Sequence, residues 1–280
     1  MHVKILVDST ADLNPAVRER ISVLPLTIHF GDEEYLDGVT ITGQEFYEKL
    51  VESDVMPTTS QASPYAFEEK FNELTTNGDQ VVAITVSSKL SGTYQSAMIA
   101  AENFPGKVWV VDSASVAIGA GILAEHALNL ADYGVSAAEI AEQLETVKSR
   151  IHVLAMLDTL EFLKRGGRIS KAVALAGTML SIKPVVSLDG GEITVRGKAR
   201  GSRQANNLLV KEIQAAGGVD FSMPLMLGYT GLSDTLLKKY IVDSGEMWQD
   251  NCQDLPYAMI GSVVGTHAGP GAVAVAFFAP

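Results

Sequence analysis

Three short stretches hold the residues that could do chemistry. Ser87-Ser88-Lys89-Leu90-Ser91-Gly92-Thr93 follows the apolar run Val81 to Val86, and Pro57-Thr58-Thr59-Ser60-Gln61 offers hydroxyls and an amide. Gly265-Thr266-His267-Ala268-Gly269-Pro270-Gly271-Ala272 sets one imidazole among small residues. Ser91 stands where an N-cap belongs for a helix predicted over 93–104, whose first amides have no partner inside the helix. A helix start carries partial positive charge and suits a carboxylate or phosphate. Gly92 lets such a ligand approach the backbone. An ordinary capped strand-to-helix turn fits the same letters. Around His267, glycine and proline read as a hairpin turn, but they leave ring nitrogens that nothing shields.

Other chemistries fit less well. Ser91 and His267 could be a nucleophile and its base, oriented by Asp8 or Asp112, as in an acyl hydrolase. Yet no Gly-x-Ser-x-Gly elbow surrounds Ser91. Gly119-Ala120-Gly121-Ile122-Leu123-Ala124 matches the dinucleotide fingerprint in letters only, because it starts about seven residues past the strand ending at Asp112. It reads as glycines within or opening a helix. Asp8-Ser9-Thr10 lacks the second aspartate of an Asp-x-Asp phosphotransfer loop, and no Walker loop occurs. The five histidines are scattered, and a lone Cys252 allows neither an internal disulfide nor a Cys-based zinc site. No metal site and no cofactor are expected.

The elements that must position these loops alternate strand and helix through the first half. Strands are predicted at 3–7, 23–30, 81–86 and 108–111, and a short helix at 15–20. Capping boxes at Thr42/Glu45 and Ser136/Glu139 open helices to about 52 and 150, and Ser63-Pro64 opens another to about 76. A further helix spans 116–133. Leu6-Val7-Asp8-Ser9 and Val110-Val111-Asp112-Ser113 both bring Asp-Ser to a strand's carboxyl end, where open α/β sheets bind ligands. Beyond a strand at 151–157 and a short helix closing at Gly166-Gly167, hairpins replace crossovers. A helix is predicted at 171–180, then a hairpin turning at Asp189-Gly190-Gly191, then a helix from 202 to 216. A strand at 225–229 and a helix capped by Ser233 follow. Residues 257–264 and 273–278 read as paired antiparallel strands around the His267 turn. The expectation is a two-domain α/β protein. Residues 1–152 form a parallel-sheet domain and 153–280 a mixed or antiparallel α/β domain, with the ligand between them.

Bulk composition narrows the function. The chain has 280 residues, 47% hydrophobic and 19% charged, enough for a sizeable core. Its net charge of −12 argues against nucleic acid and against non-specific docking on an anionic membrane. With no leader-like start, no long apolar span and one cysteine, a soluble cytoplasmic protein is expected. Against the acidic whole, Lys164, Arg165, Arg168, Lys171, Lys183, Arg196, Lys198, Arg200 and Arg203 face only Asp189 and Glu192 in their span. That cluster is either a solvated face or a docking surface.

Taken together, the loops resemble the DegV family of bacterial fatty-acid-binding proteins, the binding subunits of fatty acid kinase. The matching pieces are Val7 to Leu13, Pro57 to Gln61, Ser87 to Ala97, Leu163 to Ile169, Lys183-Pro184 and Gly265 to Ala272. Ala62 departs from the family, which commonly has proline after the Ser-Gln pair. The resemblance implies one long-chain fatty acid, its carboxylate held by Thr59, Ser91 and His267 with Thr58 and Gly92 beside them. It implies no catalytic group and no cofactor besides that ligand. A separate ATP-dependent kinase subunit would phosphorylate the carboxylate for phospholipid synthesis. The basic cluster, chiefly Arg168, Arg200 and Arg203, is expected to meet that partner, and a lipid sensor without a kinase partner is the other alternative. Without a buried Arg or Lys at the head group, the carboxylate oxygen is expected to remain able to attack a phosphoryl donor.

Overall fold

The computed structural model describes residues 2–169, 182–249, 251–252 and 254–280. The helix predicted at 171–180, and Lys171 with it, lies outside the described residues. In the first half the strands are β1 (Val3–Asp8), β2 (Ser22–Leu24), β3 (Thr27–Phe30), β4 (Glu33–Leu36), β5 (Thr58–Ser60), β6 (Gln80–Thr85) and β7 (Val108–Asp112). A parallel sheet runs β2-β1-β6-β7, and a small antiparallel sheet runs β4-β3-β5. Helices α1 (Gly43–Glu52), α2 (Pro64–Thr75), α3 (Thr93–Ala101), α4 (Ile118–Asp132) and α5 (Ala137–Val147) complete this half.

The second half comprises β8 (Ile151–Met156), α6 (Glu161–Arg165), β9 (Ile182–Asp189), β10 (Glu192–Arg200), α7 (Gly201–Ala215), β11 (Met226–Tyr229), α8 (Thr235–Asp243), α9 (Gly245–Trp248), β12 (Tyr257–Met259), α10 (Ser262–Ala268) and β13 (Val273–Phe278). Its mixed sheet has the order β10-β9-β8-β13-β11-β12, parallel only at β11–β12. The expected α/β architecture, parallel first and mixed second, is the one observed.

Local signals hold where they are self-contained. Thr42 with Glu45, and Ser136 with Glu139, form both predicted capping boxes. Gly190 and Gly191 take the positive φ angles, 55° and 88°, that the β9–β10 turn demands. Four expectations need correction. The strand foreseen at 23–30 breaks at Pro25, which lacks a ladder donor, so β2 stays in the parallel sheet while β3 joins the small one. Asn14 accepts from the Ala16 amide, but only the 3₁₀ turn Arg18–Arg20 follows. Helix α3 ends at Ala101 rather than 104. The strand foreseen at 257–264 stops at Met259 and pairs parallel with β11, and the expected turn around His267 is helix α10.

Helix α4 is shared by both halves. Leu123, Ala124 and Ala127 pack on Ile5, Val7, Val82 and Ile84 of the parallel sheet. Ile118 and Ile122 meet Met226, Ala274, Ala276 and Phe278 of the mixed sheet. Its glycines serve contact: a Cβ on Gly121 would lie 1.9 Å from the Asp12 carbonyl oxygen. The Gly-x-Gly letters therefore mark a helix pressed against backbone.

Candidate functional site

A cavity lies where the carboxyl ends of the parallel strands face the mixed sheet. Thr10, Val86 and Ala117, from the loops after β1, β6 and β7, line one side. That is the ligand position open α/β sheets favour. The opposite side is Val153 and Ala155 of β8, Val186 and Leu188 of β9, and Ala274 of β13. Val153 and Ala155 of β8 line it together because positions two apart share one face, and Ser187 of β9 also touches it. Leu157, Leu163, Ile193, Ile260, Val263 and Ala272 extend an apolar lining that sequence reasoning left unnamed.

Thr59, Gln61, Ser91, Arg168 and His267 form one polar group in this wall, which Thr10, Ser60 and Ser187 also line. Thr59 Oγ1 and His267 Nε2 share a 2.9 Å hydrogen bond across 208 residues. Ser91 stands one residue before the observed cap, Gly92, and its Oγ accepts from the Thr93 amide at 3.2 Å. It also shares a 2.9 Å bond with the Thr93 hydroxyl. Gly92 has a different use from the one expected. A Cβ there would lie 2.1 Å from Gln61 Oε1, so the glycine admits the Gln61 amide. That amide donates to Ser96 Oγ at 3.1 Å and ties the β5 end to α3. Thr58 is exposed and does not line the cavity.

His267 is tightly enclosed. Its Nδ1 is buried with no partner among the described residues, and a Cβ on Gly166 would lie 2.2 Å from it. An unpartnered lone pair is tolerated better than an unpartnered N–H, which favours the tautomer protonated on Nε2. In that tautomer Nε2–H donates to Thr59 Oγ1, leaving the threonine hydroxyl proton free to donate into the cavity. Burial, aided by the Arg168 charge, holds the imidazole down to about 4. The ring is therefore neutral at physiological pH.

Arg168 departs from expectation in two ways. It was expected on a docking surface beside Arg200 and Arg203, but it is half-buried and lines the cavity. A cation thus stands near the polar cluster, where none was expected. Its guanidinium is committed to protein carbonyls, Nε donating to Leu90 at 3.2 Å and a terminal nitrogen to Gly166 at 2.6 Å. Arg200 and Arg203 are exposed at the junction of β10 and α7. Several cluster members are neutralised: Lys164 and Arg165 pair with Glu161, Lys183 with Asp158, and Arg196 with Asp189.

The carboxylates weighed as orienting groups are used elsewhere. Asp8 accepts from the Thr10 amide and hydroxyl and from the Val86 amide, the last at 2.7 Å. Asp112 accepts from the Ser88 and Ala114 amides. Both staple loops, and no hydrogen bond joins Ser91 to His267 among the described residues. Sequence reasoning missed Gln61 and the cavity position of Arg168. Their signals were adjacency to Thr59 and membership of the Leu163 to Ile169 stretch.

Comparison with known proteins places the chain in context. The family model described as an uncharacterised protein of the DegV family matches residues 2–280. A DegV domain-containing protein from Caldanaerobacter subterraneus subsp. tengcongensis is 34% identical over 280 residues, covering 98% of each chain. A fatty-acid-binding DegV family protein from Thermus thermophilus is 32% identical, with a TM-score of 0.88 and both chains fully covered. DegV from Bacillus subtilis, a fatty acid binding protein, is 28% identical, again with full coverage and a TM-score of 0.84.

Proposed function

Because the chain belongs to the DegV family, we propose that it binds one long-chain fatty acid in this cavity and presents the carboxylate to a separate ATP-dependent fatty acid kinase. The alkyl tail lies between the division 1–152 and the division 153–280. Each buried methylene contributes about 0.8 kcal/mol, so the tail supplies most of the affinity after ordering costs. The head group takes hydrogen bonds from the Thr59 and Ser91 hydroxyls and from His267, whose single Nε2–H is shared between Thr59 Oγ1 and the carboxylate. The observation that carries this reading is the Thr59–His267 bond, which sets neutral polar groups at one region of a largely apolar cavity.

The residues suit presentation better than catalysis. A base near 4 is a weak acceptor for a serine proton at neutral pH, and His267 has no orienting carboxylate among the described residues. Arg168 biases the field toward an anion, while its Nε and one terminal nitrogen already donate to Leu90 and Gly166. Hydroxyl and imidazole donors then orient the carboxylate without the bidentate clamp of an arginine. One oxygen remains able to attack the phosphoryl donor, and the acyl phosphate passes to phospholipid synthesis. Arg200 and Arg203 form the docking surface for the kinase. We place this activity in the cytoplasm, where a lone cysteine stays reduced.

Native mass spectrometry of freshly purified protein tests the reading directly. A fatty acid released by organic extraction is expected, and Ser91→Ala should lower its retention. Protein that yields no lipid and binds none when supplied would refute the proposal. Stoichiometric labelling of Ser91 by a fluorophosphonate would favour a hydrolase instead. Charge reversal at Arg200 and Arg203 should impair phosphorylation by an added kinase subunit while leaving fatty acid binding intact.

A further inference from the structure

Helix α10 is seven residues long and its N-cap is Gly261, which has no side chain with which to cap it. So short a helix does not hold itself in water, and its first amides need partners. Those partners come from the other half of the molecule. The Gly261 amide donates to Asp12 Oδ1 at 2.7 Å, and the Ser262 and Val263 amides donate to the two oxygens of Asp37 at 3.3 and 3.4 Å. Asp12 follows β1 and Asp37 follows β4, and both side chains are buried.

The same helix is held along its flank. Tyr47 Oη donates to the Ile260 carbonyl at 2.9 Å. A Cβ on Gly265 would lie 2.5 Å from Tyr47 Oη and 2.9 Å from the Phe46 ring, so α10 rests directly on α1. At the far end of this clamped rod, His267 reaches Thr59.

We propose that Asp37 and Asp12 are positioning residues for His267, holding its imidazole at the fatty acid head group by capping helix α10 from the opposite half of the chain. This rests on the reading of His267 as a carboxylate ligand. Without the cap, α10 samples other placements, Nε2 leaves Thr59, and the binding-competent arrangement becomes a fraction of the population.

The test compares Asp37→Ala, Asp37→Asn and Asp12→Asn in the full chain, with palmitate as the probe. The His267 imidazole is followed by ¹⁵N NMR, and thermal melting is recorded. His267→Asn and Ile213→Val, the latter in the remote core of the mixed sheet, serve as references. Asp37→Ala should weaken palmitate binding about tenfold, the usual scale of a lost cap, and move the His267 ring resonances before any lipid is added. Asp37→Asn should recover part of both, since its amide oxygen still accepts. Ile213→Val should lower the melting temperature and move neither. Asp37→Ala that melts earlier yet keeps wild-type His267 resonances and palmitate affinity would overturn the proposal. Should Asp37→Ala fail to fold, Asp37→Asn and Asp12→Asn decide by the same readouts. If His267→Asn itself binds palmitate normally, the ligand role of His267 is wrong, whereas shifted resonances in the aspartate variants would still establish the anchoring.

Discussion

Helices α3 and α10 each bring a polar residue to the same cavity, but their starts are satisfied from opposite distances. At α3, Ser91 Oγ takes the amide two residues on, a bond closed within one loop. At α10, the partners lie 225 to 249 residues away, in the other half of the fold. The first arrangement survives any rearrangement between the halves. The second exists only when they are docked, so His267 depends on tertiary structure in a way that Ser91 does not.

Substitution of the two proposed head-group ligands should expose that difference most strongly. His267→Ala removes one donor and frees Thr59 from its partner, so palmitate affinity should fall about fiftyfold, against about tenfold for Ser91→Ala. Equilibrium binding of labelled palmitate checks this, and equal losses would erase the distinction.

Next in size are two limbs of the stability–pH profile, both from the α10 side. His267 sits at about 4 when folded, below the ordinary 6.5, through burial and the Arg168 charge. Its contribution is therefore present above 6.5 and lost as pH falls toward 4. Burial raises the Asp12 carboxyl to about 8 from 3.8, with the Asp37 charge adding to it and the Gly261 amide and Arg18 opposing. Its contribution is present below 3.8 and lost as pH rises through 8. Melting temperatures across pH should show His267→Asn flattening the acid limb and Asp12→Asn the alkaline one, with Ser91→Ala altering neither.

Smaller effects should come from adding a methyl group beside each helix. Gly265→Ala drives a Cβ into the fully buried Tyr47 and Phe46 rings, and urea unfolding should register a loss of about 2 kcal/mol. Gly92→Ala meets only the end of the Gln61 amide, which can swing aside, and should cost about 1 kcal/mol. The reverse order would mean that α3, not α10, is the rigidly seated helix.

The same contrast explains what the sequence made legible. Thr42 with Glu45, Ser136 with Glu139 and the Asp189-Gly190-Gly191 turn each complete their bonding within a few residues, and each was read correctly. The apolar runs of β1, β6 and β7 announced a buried parallel sheet. By contrast, β4 is almost wholly exposed and β5 is Thr-Thr-Ser, so neither carries an apolar pattern. Strand β12 is three residues long, and nothing local reveals that β13 inserts between β8 and β11. Helix α10 has no cap of its own, hence its reading as a turn. Thr59 and His267 were brought together by the family resemblance, since no spacing argument spans 208 residues. Arg168 looked like its exposed neighbours because charge counts do not say which way a side chain points.

The position of β13 has a consequence for biosynthesis. It is a central strand of the mixed sheet, flanked by β8 and β11, although it follows the other twelve strands of the described residues in chain order. On the ribosome the parallel half can assemble early, while β8 and β11 wait with open edges until residue 278 has emerged. A nascent chain therefore lacks the wall that Ala274 gives the cavity until β13 is in place.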